Sequence, residues 1–335
     1  WFVLLRSPGF MPSVPRRYHF KGRGNIMRGL HLIPANINLS FIPKKSMFFG
    51  FSTLIIIASI GLFLVKGLNY GIDFKGGILI EIRTEQTVDL GTMRKQLNNL
   101  GLGEVSLQEF GEETELLIRI QKQDGGEQAQ QVAIEAVKAM LGDGIEYRRT
   151  EFVGPKVSDE LFWDGVKAVG LAIIAMLFYI WMRFEWQFGV GAVIALVHDV
   201  IVTIGVFALL GLEFNLTTVA AVLTIAGYSI NDTVVVYDRV RENLRKYKTR
   251  DLDDLLNGSI NETLSRTVIT SLTTLVALFA LFFLGGAVIH DFSFAMIFGV
   301  IIGTYSSICL AVPALLHMDL NRNSGDDEEE ELSKA

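Results

Sequence analysis

One cysteine, Cys309, stands among 335 residues, so no disulfide can close within the chain. The five histidines are scattered singly, which argues against a metal centre. No GxxxxGK[ST], HExxH or GxSxG signature occurs, so phosphate-loop, zinc-protease and hydrolase chemistries have no foothold. No cofactor and no metal is expected. Charge is absent from four long stretches: Met47–Val65, Phe214–Asn231, Thr267–Ile289 and Phe292–Leu316. Uncharged apolar runs of about 18 or more residues match the thickness of a bilayer core. Half of the residues are apolar, and the mean hydropathy is +0.39. These features exclude a soluble enzyme, a secreted disulfide scaffold and a disordered chain.

What charge there is, is sorted by position. The net charge is −6, but Asp319–Ala335 alone holds seven acids against two bases, and the first 45 residues hold eight bases and no acid. Lys44 and Lys45 precede the first apolar run and hold that end in the cytoplasm. The chain then divides into a basic cytoplasmic segment over 1–45, a first span over 46–66, an extramembrane domain over 67–158, five further spans within 159–317, and an acidic cytoplasmic tail over 318–335. Spans are expected over 162–182, 187–210, 215–237, 266–286 and 293–316, with a basic cytoplasmic loop over 238–265. The inner segments carry Arg183 and the run from Arg239 to Arg250, whereas the outer loops at Glu213 and His290–Asp291 are short and not basic. Both termini are therefore expected in the cytoplasm. Met27 is a candidate initiator, which leaves residues 1–26 without an assigned role. Leu252, Leu255, Leu256 and Ile260 lie at helical spacing and predict a short amphipathic helix before the fifth span, more in keeping with a packed loop helix than with a membrane-surface element.

Residues 67–158 hold 15 acids and 10 bases and switch between strand and helix periods. Ile78, Ile80 and Ile82 alternate along one strand. Leu90, Met93, Leu97 and Leu100 mark a helix, Val105 and Leu107 a second strand, and Leu116, Ile118 and Ile120 a third. Val132–Leu141 predicts a second helix and Ile145–Val153 a last strand. The order βαββαβ is the ferredoxin-like arrangement. The expected fold is a membrane bundle of six transmembrane helices with a small α+β domain on the periplasmic side after the first span.

Ionisable groups inside spans are costly, by roughly 2.5–3.5 kcal/mol on insertion scales, and so carry the functional information. Asp232 lies about two turns inside the boundary at Arg239, with Tyr228 and Ser229 on its face and Asn231 and Thr233 beside it. Its two readings are a proton-exchanging carboxylate and a structural hydrogen-bonding group. Arg266 opens the fifth span, and Thr270, Thr273 and Thr274 continue its polar stripe. Arg266 either faces Asp232 at similar depth or snorkels to the headgroups. Asp199, with His198 before it, sits in the third span, either extending a proton path or fastening that span to the fourth. Gly299 and Gly303 have the spacing that permits close helix approach. Gly71, Asp73, Phe74, Gly76 and Gly77 lie in a turn that leads into the first strand.

Several segments carry a resemblance: Gly71-Ile72-Asp73-Phe74-Lys75-Gly76-Gly77, Val153-Gly154-Pro155-Lys156-Val157, His198-Asp199, Ser229-Ile230-Asn231-Asp232-Thr233 running on to Glu242, and Arg266-Thr267-Val268-Ile269-Thr270-Ser271. Over about 46–317 the sequence resembles the SecF family of bacterial protein-export membrane proteins, in the resistance-nodulation-division superfamily. The resemblance implies an inner-membrane subunit that works with SecD, joins the SecYEG channel, often with YajC, and uses the proton-motive force to draw unfolded preprotein out on the periplasmic side. It also implies a proton relay at Asp232 and Arg266, with Asp199 as a weaker carry-over. It implies neither enzymatic activity nor nucleic-acid binding. Rival readings are another proton-driven exporter of the superfamily, a passive scaffold for the channel, and an intramembrane protease, for which Tyr237-Asp238 supplies half a signature and the GxGD half is missing.

Overall fold

The computed structural model describes residues 38–110, 112–142 and 144–320; most of the basic N-terminal segment and of the acidic tail lies outside the described residues. Helix α1 (Lys45–Lys66) leads into strand β1 (Asn69–Tyr70) and a single helical turn, α2 (Ile72–Lys75). The small domain follows: β2 (Gly77–Thr84), α3 (Leu90–Asn98), β3 (Val105–Phe110), β4 (Glu112–Ile120), α4 (Gly126–Leu141) and β5 (Ile145–Val153). Its strands lie in the order β3-β4-β2-β5, every neighbour antiparallel. The alternation of Ile78, Ile80 and Ile82 with Leu116, Ile118 and Ile120 points one sheet face at Met93, Leu97, Ala133, Ile134 and Val137 of the two helices, which form the domain core. Asp89 caps α3, its carboxylate accepting from the backbone N–H of Gly91 and Thr92, both at 3.1 Å.

The other sheet face is covered at its base by α2, where Ile72 packs on Leu79 and Leu117. Gly76 and Gly77 turn the chain from α2 into β2 with φ of 69° and 126°. A Cβ on Gly77 would lie 2.5 Å from the Ile120 carbonyl, so the pair is required both for its left-handed backbone and for the close approach of β4.

The bundle consists of α1, α5 (Pro155–Arg183), α6 (Trp186–Leu210), β6 (Glu213–Phe214), α7 (Leu216–Lys246), α8 (Leu252–Leu284) and α9 (Ala287–Ser306). The last span continues from α9 through a π-helical turn, Ser307–Ala311, to His317. Among the described residues six helices are long and apolar enough to cross a membrane, and the chain is a helical membrane protein. Helices α6 and α7 and the last span are the most enclosed, whereas α1, α5 and α8 turn apolar side chains such as Leu64, Phe178 and Val276 outward. Close approach of α7 and α9 depends on Gly299 and Gly303, because Cβ atoms there would press on Ile225 and Ser229.

Three features differ from the sequence expectations or go beyond them. The Leu252–Ile260 stretch is no separate helix; it is the first part of α8, and Leu255, Leu256 and Ile260 are fully buried in the bundle core. Asn257 and Asn261 of this stretch bind the backbone ahead of α1, Phe41 N–H donating to Asn257 Oδ1 (2.8 Å) and Leu39 N–H to Asn261 Oδ1 (2.7 Å). Helix α5 begins at Pro155, about two turns before the expected span, so the Val153-Gly154-Pro155 motif is the junction of domain and bundle.

Candidate functional site

Among the described residues two carboxylates, Asp199 and Asp232, are buried in the bundle, and their surroundings differ. Asp199, on α6, is fully buried and held from three sides. Ser229 Oγ on α7 donates to Oδ2 at 2.6 Å, Ser306 Oγ at the end of α9 donates to the same oxygen at 2.7 Å, and His198 Nδ1 lies 2.9 Å from Oδ1. Short hydroxyl contacts to a carboxylate of this kind are strong. Adjacent residues on a helix point about 100° apart, yet His198 folds back onto its neighbour. Its own ring is buried, and among the described residues its Nε2 finds no hydrogen-bond partner. The seam extends through Thr233 Oγ1, 2.9 Å from Ser307 Oγ in the π-helical turn, and from Ser307 Oγ to the Ser229 carbonyl (3.3 Å). Such turns inside membrane helices often mark functional positions.

Asp232, one turn along α7 from Ser229, is 2 % exposed and loosely held. Among the described residues it is approached by Ser271 of α8 and, at 3.4 Å, by Thr304 Oγ1 of α9. That hydroxyl also lies 2.8 Å from the Val300 carbonyl and 2.7 Å from Ser271 Oγ of α8, so its single proton is contested. Ser271 Oγ in turn reaches the Thr267 carbonyl (2.9 Å) and accepts from Tyr228 OH (3.4 Å). A string of hydroxyls, Tyr228–Ser271–Thr304, thus joins α7, α8 and α9 at the Asp232 carboxyl.

The other candidates are spread out. Arg266 is exposed on α8; its charge acts on Asp232 from a distance, and no ion pair joins the two. Thr270 and Thr274 are half-buried and donate to carbonyls of their own helix, at Arg266 and Thr270. Asn231 is exposed. Asp238 pairs with Arg183 at 2.5 Å near the helix ends. Among the described residues no three His, Cys, Asp or Glu side chains converge to hold a metal ion.

The glycine-rich turn is a docking element. Asp73 Oδ2 accepts from the backbone N–H of Leu216, the first residue of α7, at 2.9 Å. Strand β1 pairs in parallel with β6, Asn69 opposite Glu213 and Tyr70 opposite Phe214. Phe74 packs against Phe214, Tyr70 and Phe162. Arg119 of β4 forms an ion pair with Glu213, and both side chains are largely buried. Burial pushes the Glu213 carboxyl above its ordinary value, against the opposing pull of Arg119, with Asp291 and Asp73 adding to the rise. The domain is therefore fastened to the start of the helix that carries Asp232.

Sequence reasoning passed over Thr304, Ser306 and Ser307, because hydroxyls inside an apolar run carry no periodic signal. It also passed over Arg119 and Glu213, which lie 94 residues apart.

The family model described as "Protein export membrane protein SecD/SecF, C-terminal" matches residues 133–321, and the "SecD/SecF GG Motif" matches 61–88, a segment containing Gly76 and Gly77. Proteins named protein translocase subunit SecF are 48 % identical in Rhodobacter capsulatus and 47 % in Rickettsia felis; each alignment covers 88 % of this chain and 93 % and 96 % of the relative. The chain belongs to the SecF family. Among solved structures, SecF kinship extends to SecDF, a translocon-associated membrane protein from Thermus thermophilus. That crystal structure matches at TM-score 0.77 and 38 % identity over 84 % of this chain and 39 % of its own. A second SecDF crystal structure, in a super-membrane-facing form, matches at TM-score 0.62 and 35 % identity over 90 % of this chain and 40 % of its own. This chain spans about two fifths of either SecDF chain.

Proposed function

We propose that this SecF-family chain is a proton-driven subunit of the Sec machinery that pairs with SecD, associates with SecYEG and YajC, and promotes late preprotein translocation on the periplasmic side of the bacterial inner membrane. The basic residues Lys44, Lys45, Arg183 and Arg239–Arg250 support a cytoplasmic position for that end of the bundle. The α+β domain, whose element and strand orders are those of a ferredoxin-like unit, then stands in the periplasm. Asn231, Arg266 and Thr273 are exposed on α7 and α8, and polar groups facing lipid are unfavourable, which supports a membrane partner such as SecD on this face.

The observation that carries the reading is the loose hold on Asp232. A carboxyl held by a long, contested hydrogen bond from Thr304 and a weaker approach from Ser271 takes up or loses a proton without dismantling the bundle, and the hydroxyls of Thr304, Ser271 and Tyr228 lead to it. One charge crossing 100 mV releases about 2.3 kcal/mol, which biases a two-state movement several tens-fold. Neutralising Asp232 alters its attraction to Arg266 and shifts α7 against α8 and α9. From Asp232 to Leu216 the helix runs about 24 Å, and there the Asp73 cap, the β1–β6 pair and the Arg119–Glu213 ion pair carry the shift into the domain. The domain would grip unfolded chain in one state and release it in the other. In this reading Asp199 is a fastener of α6, α7 and α9 rather than a relay.

Export into inverted membrane vesicles, with and without an ionophore, tests the proposal. Wild type should lose its gradient-stimulated export with ionophore, and Asp232→Asn should match that reduced level under both conditions while still assembling. Full gradient response in Asp232→Asn would eliminate the relay and leave a passive scaffold.

A further inference from the structure

The end of the small domain farthest from the bundle carries an open groove of about 500 Å³. Strand β2 runs away from the Gly76–Gly77 turn for about 23 Å and ends at Thr84, which lines the groove. Thr84 Oγ1 donates to the Gln86 carbonyl at 2.7 Å and fixes the loop that forms one side. Val88, Met140, Leu141 and Ile145 line the groove half-buried, together with the buried Met93. All five pack on the domain core, so the groove opens that core to solvent between the start of α3 and the end of α4. Apolar groups left in this state gain by further burial, and the flexible thioethers of two methionines adapt to side chains of different shape.

The charges around the groove select its occupant. Glu85 and Asp89 line it, and among the described residues no Lys, Arg or His does. Glu85 is exposed. The Thr92 hydroxyl and the backbone N–H groups of Gly91 and Thr92 hold the Asp89 carboxyl below its ordinary value, with a lesser pull from Lys95, so it is ionised at neutral pH. A second copy of the domain is a poor occupant, because residues 67–158 hold 15 acids and 10 bases and like charges repel. The basic N-terminal segment of this chain stands across the membrane in the proposed orientation. An extended segment that brings both apolar and basic side chains fits the groove and its charge. We propose that this groove holds apolar side chains of an unfolded preprotein segment, with Lys or Arg side chains of that segment set against Glu85 and Asp89. The assignment rests on the reading above that the domain handles unfolded chain, and it names the surface that does so.

Fluorescence anisotropy of short dye-labelled peptides, added without a gradient to the full chain in phosphatidylcholine nanodiscs and corrected for empty nanodiscs, tests this. One peptide alternates Leu with Arg, a second Leu with Glu, and a third Ser with Arg. The Leu–Arg peptide should bind saturably and at least about fivefold more tightly than either of the others. Met140→Gln should lower that affinity about fivefold and Glu85→Lys about threefold to fivefold. Absent binding, equal affinity for the three peptides, or an affinity that either folded variant leaves unchanged would overturn the proposal. Self-association of wild type that Met140→Gln abolishes, in place of peptide binding, would give the groove to a second copy and overturn it as well. If Met140→Gln does not fold, Glu85→Lys, at an exposed position, and the wild-type peptide preference decide the matter. Asp232→Asn should bind the Leu–Arg peptide as wild type does, so a failed peptide result leaves the relay standing and a failed relay leaves the peptide result standing.

Discussion

Asp199 and Asp232 occupy adjacent helices of one bundle, both essentially inaccessible, yet Asp199 is gripped by two serine hydroxyls and a histidine at 2.6–2.9 Å while Asp232 has a contested threonine contact at 3.4 Å and a weaker approach from Ser271. In the proposed function the same residue type takes two parts: a fixed joint, and a group free to change its protonation.

Replacing Asp199 should damage stability more than function at the relay. In Asp199→Asn one carboxylate oxygen becomes a donor that faces Ser229, Ser306 or His198, and a buried mismatch of this kind costs about 1–3 kcal/mol. Asp232→Asn loses far less and should stay within about 0.5 kcal/mol of wild type. Reversible unfolding in mixed micelles checks the order of the two.

Gly77→Ala should destabilise the junction of domain and bundle. Its φ of 126° is unfavourable for an L side chain, and the added methyl meets the Ile120 carbonyl. A cost of about 1–3 kcal/mol or more is expected. It should read out as faster hydrogen exchange in β2 and β4 and easier proteolysis between α2 and β2, with the α6–α9 bundle unaffected.

Docking of the domain should respond to pH through Glu213. Its carboxyl is held above the ordinary value, chiefly by burial, so the docked state binds the proton more readily than the open one. The resulting stabilisation is fully present below the ordinary carboxylate value and is lost as pH rises through the elevated one. Distance measurements between labels on β3 and on the start of α9 should show tighter docking on mild acidification in wild type, and no such response in Glu213→Gln. Loss of docking on acidification would contradict the assignment.

Much of the small domain was legible because its strands alternate cleanly: Ile78, Ile80, Ile82 and Leu116, Ile118, Ile120 face one core, and the helix between them repeats Met93 and Leu97 on one side. Asp232 stood out because a carboxyl in a span is expensive. Its companions did not. Thr304, Ser306 and Ser307 are small and cheap to bury once bonded to a helix carbonyl, so nothing in the spacing separates them from Thr270 or Thr274, which bond only their own helix. The β1–β6 pair has two residues per strand, too few for a period-two pattern. The Asp73 cap on α7 joins residues 143 positions apart, a link set by tertiary packing alone. Arg266 shows the converse: its place beside the Asp232 helix was readable, but its outward direction depends on how α8 is rotated against α7.

The central claim is that Asp232, and not Asp199, exchanges a proton when the membrane is energised. Infrared difference spectroscopy of reconstituted protein under an imposed proton gradient reads this directly. A protonated-carboxyl band should appear in wild type and in Asp199→Asn and be absent from Asp232→Asn; a band that survives in Asp232→Asn, or one that vanishes only in Asp199→Asn, would contradict the account.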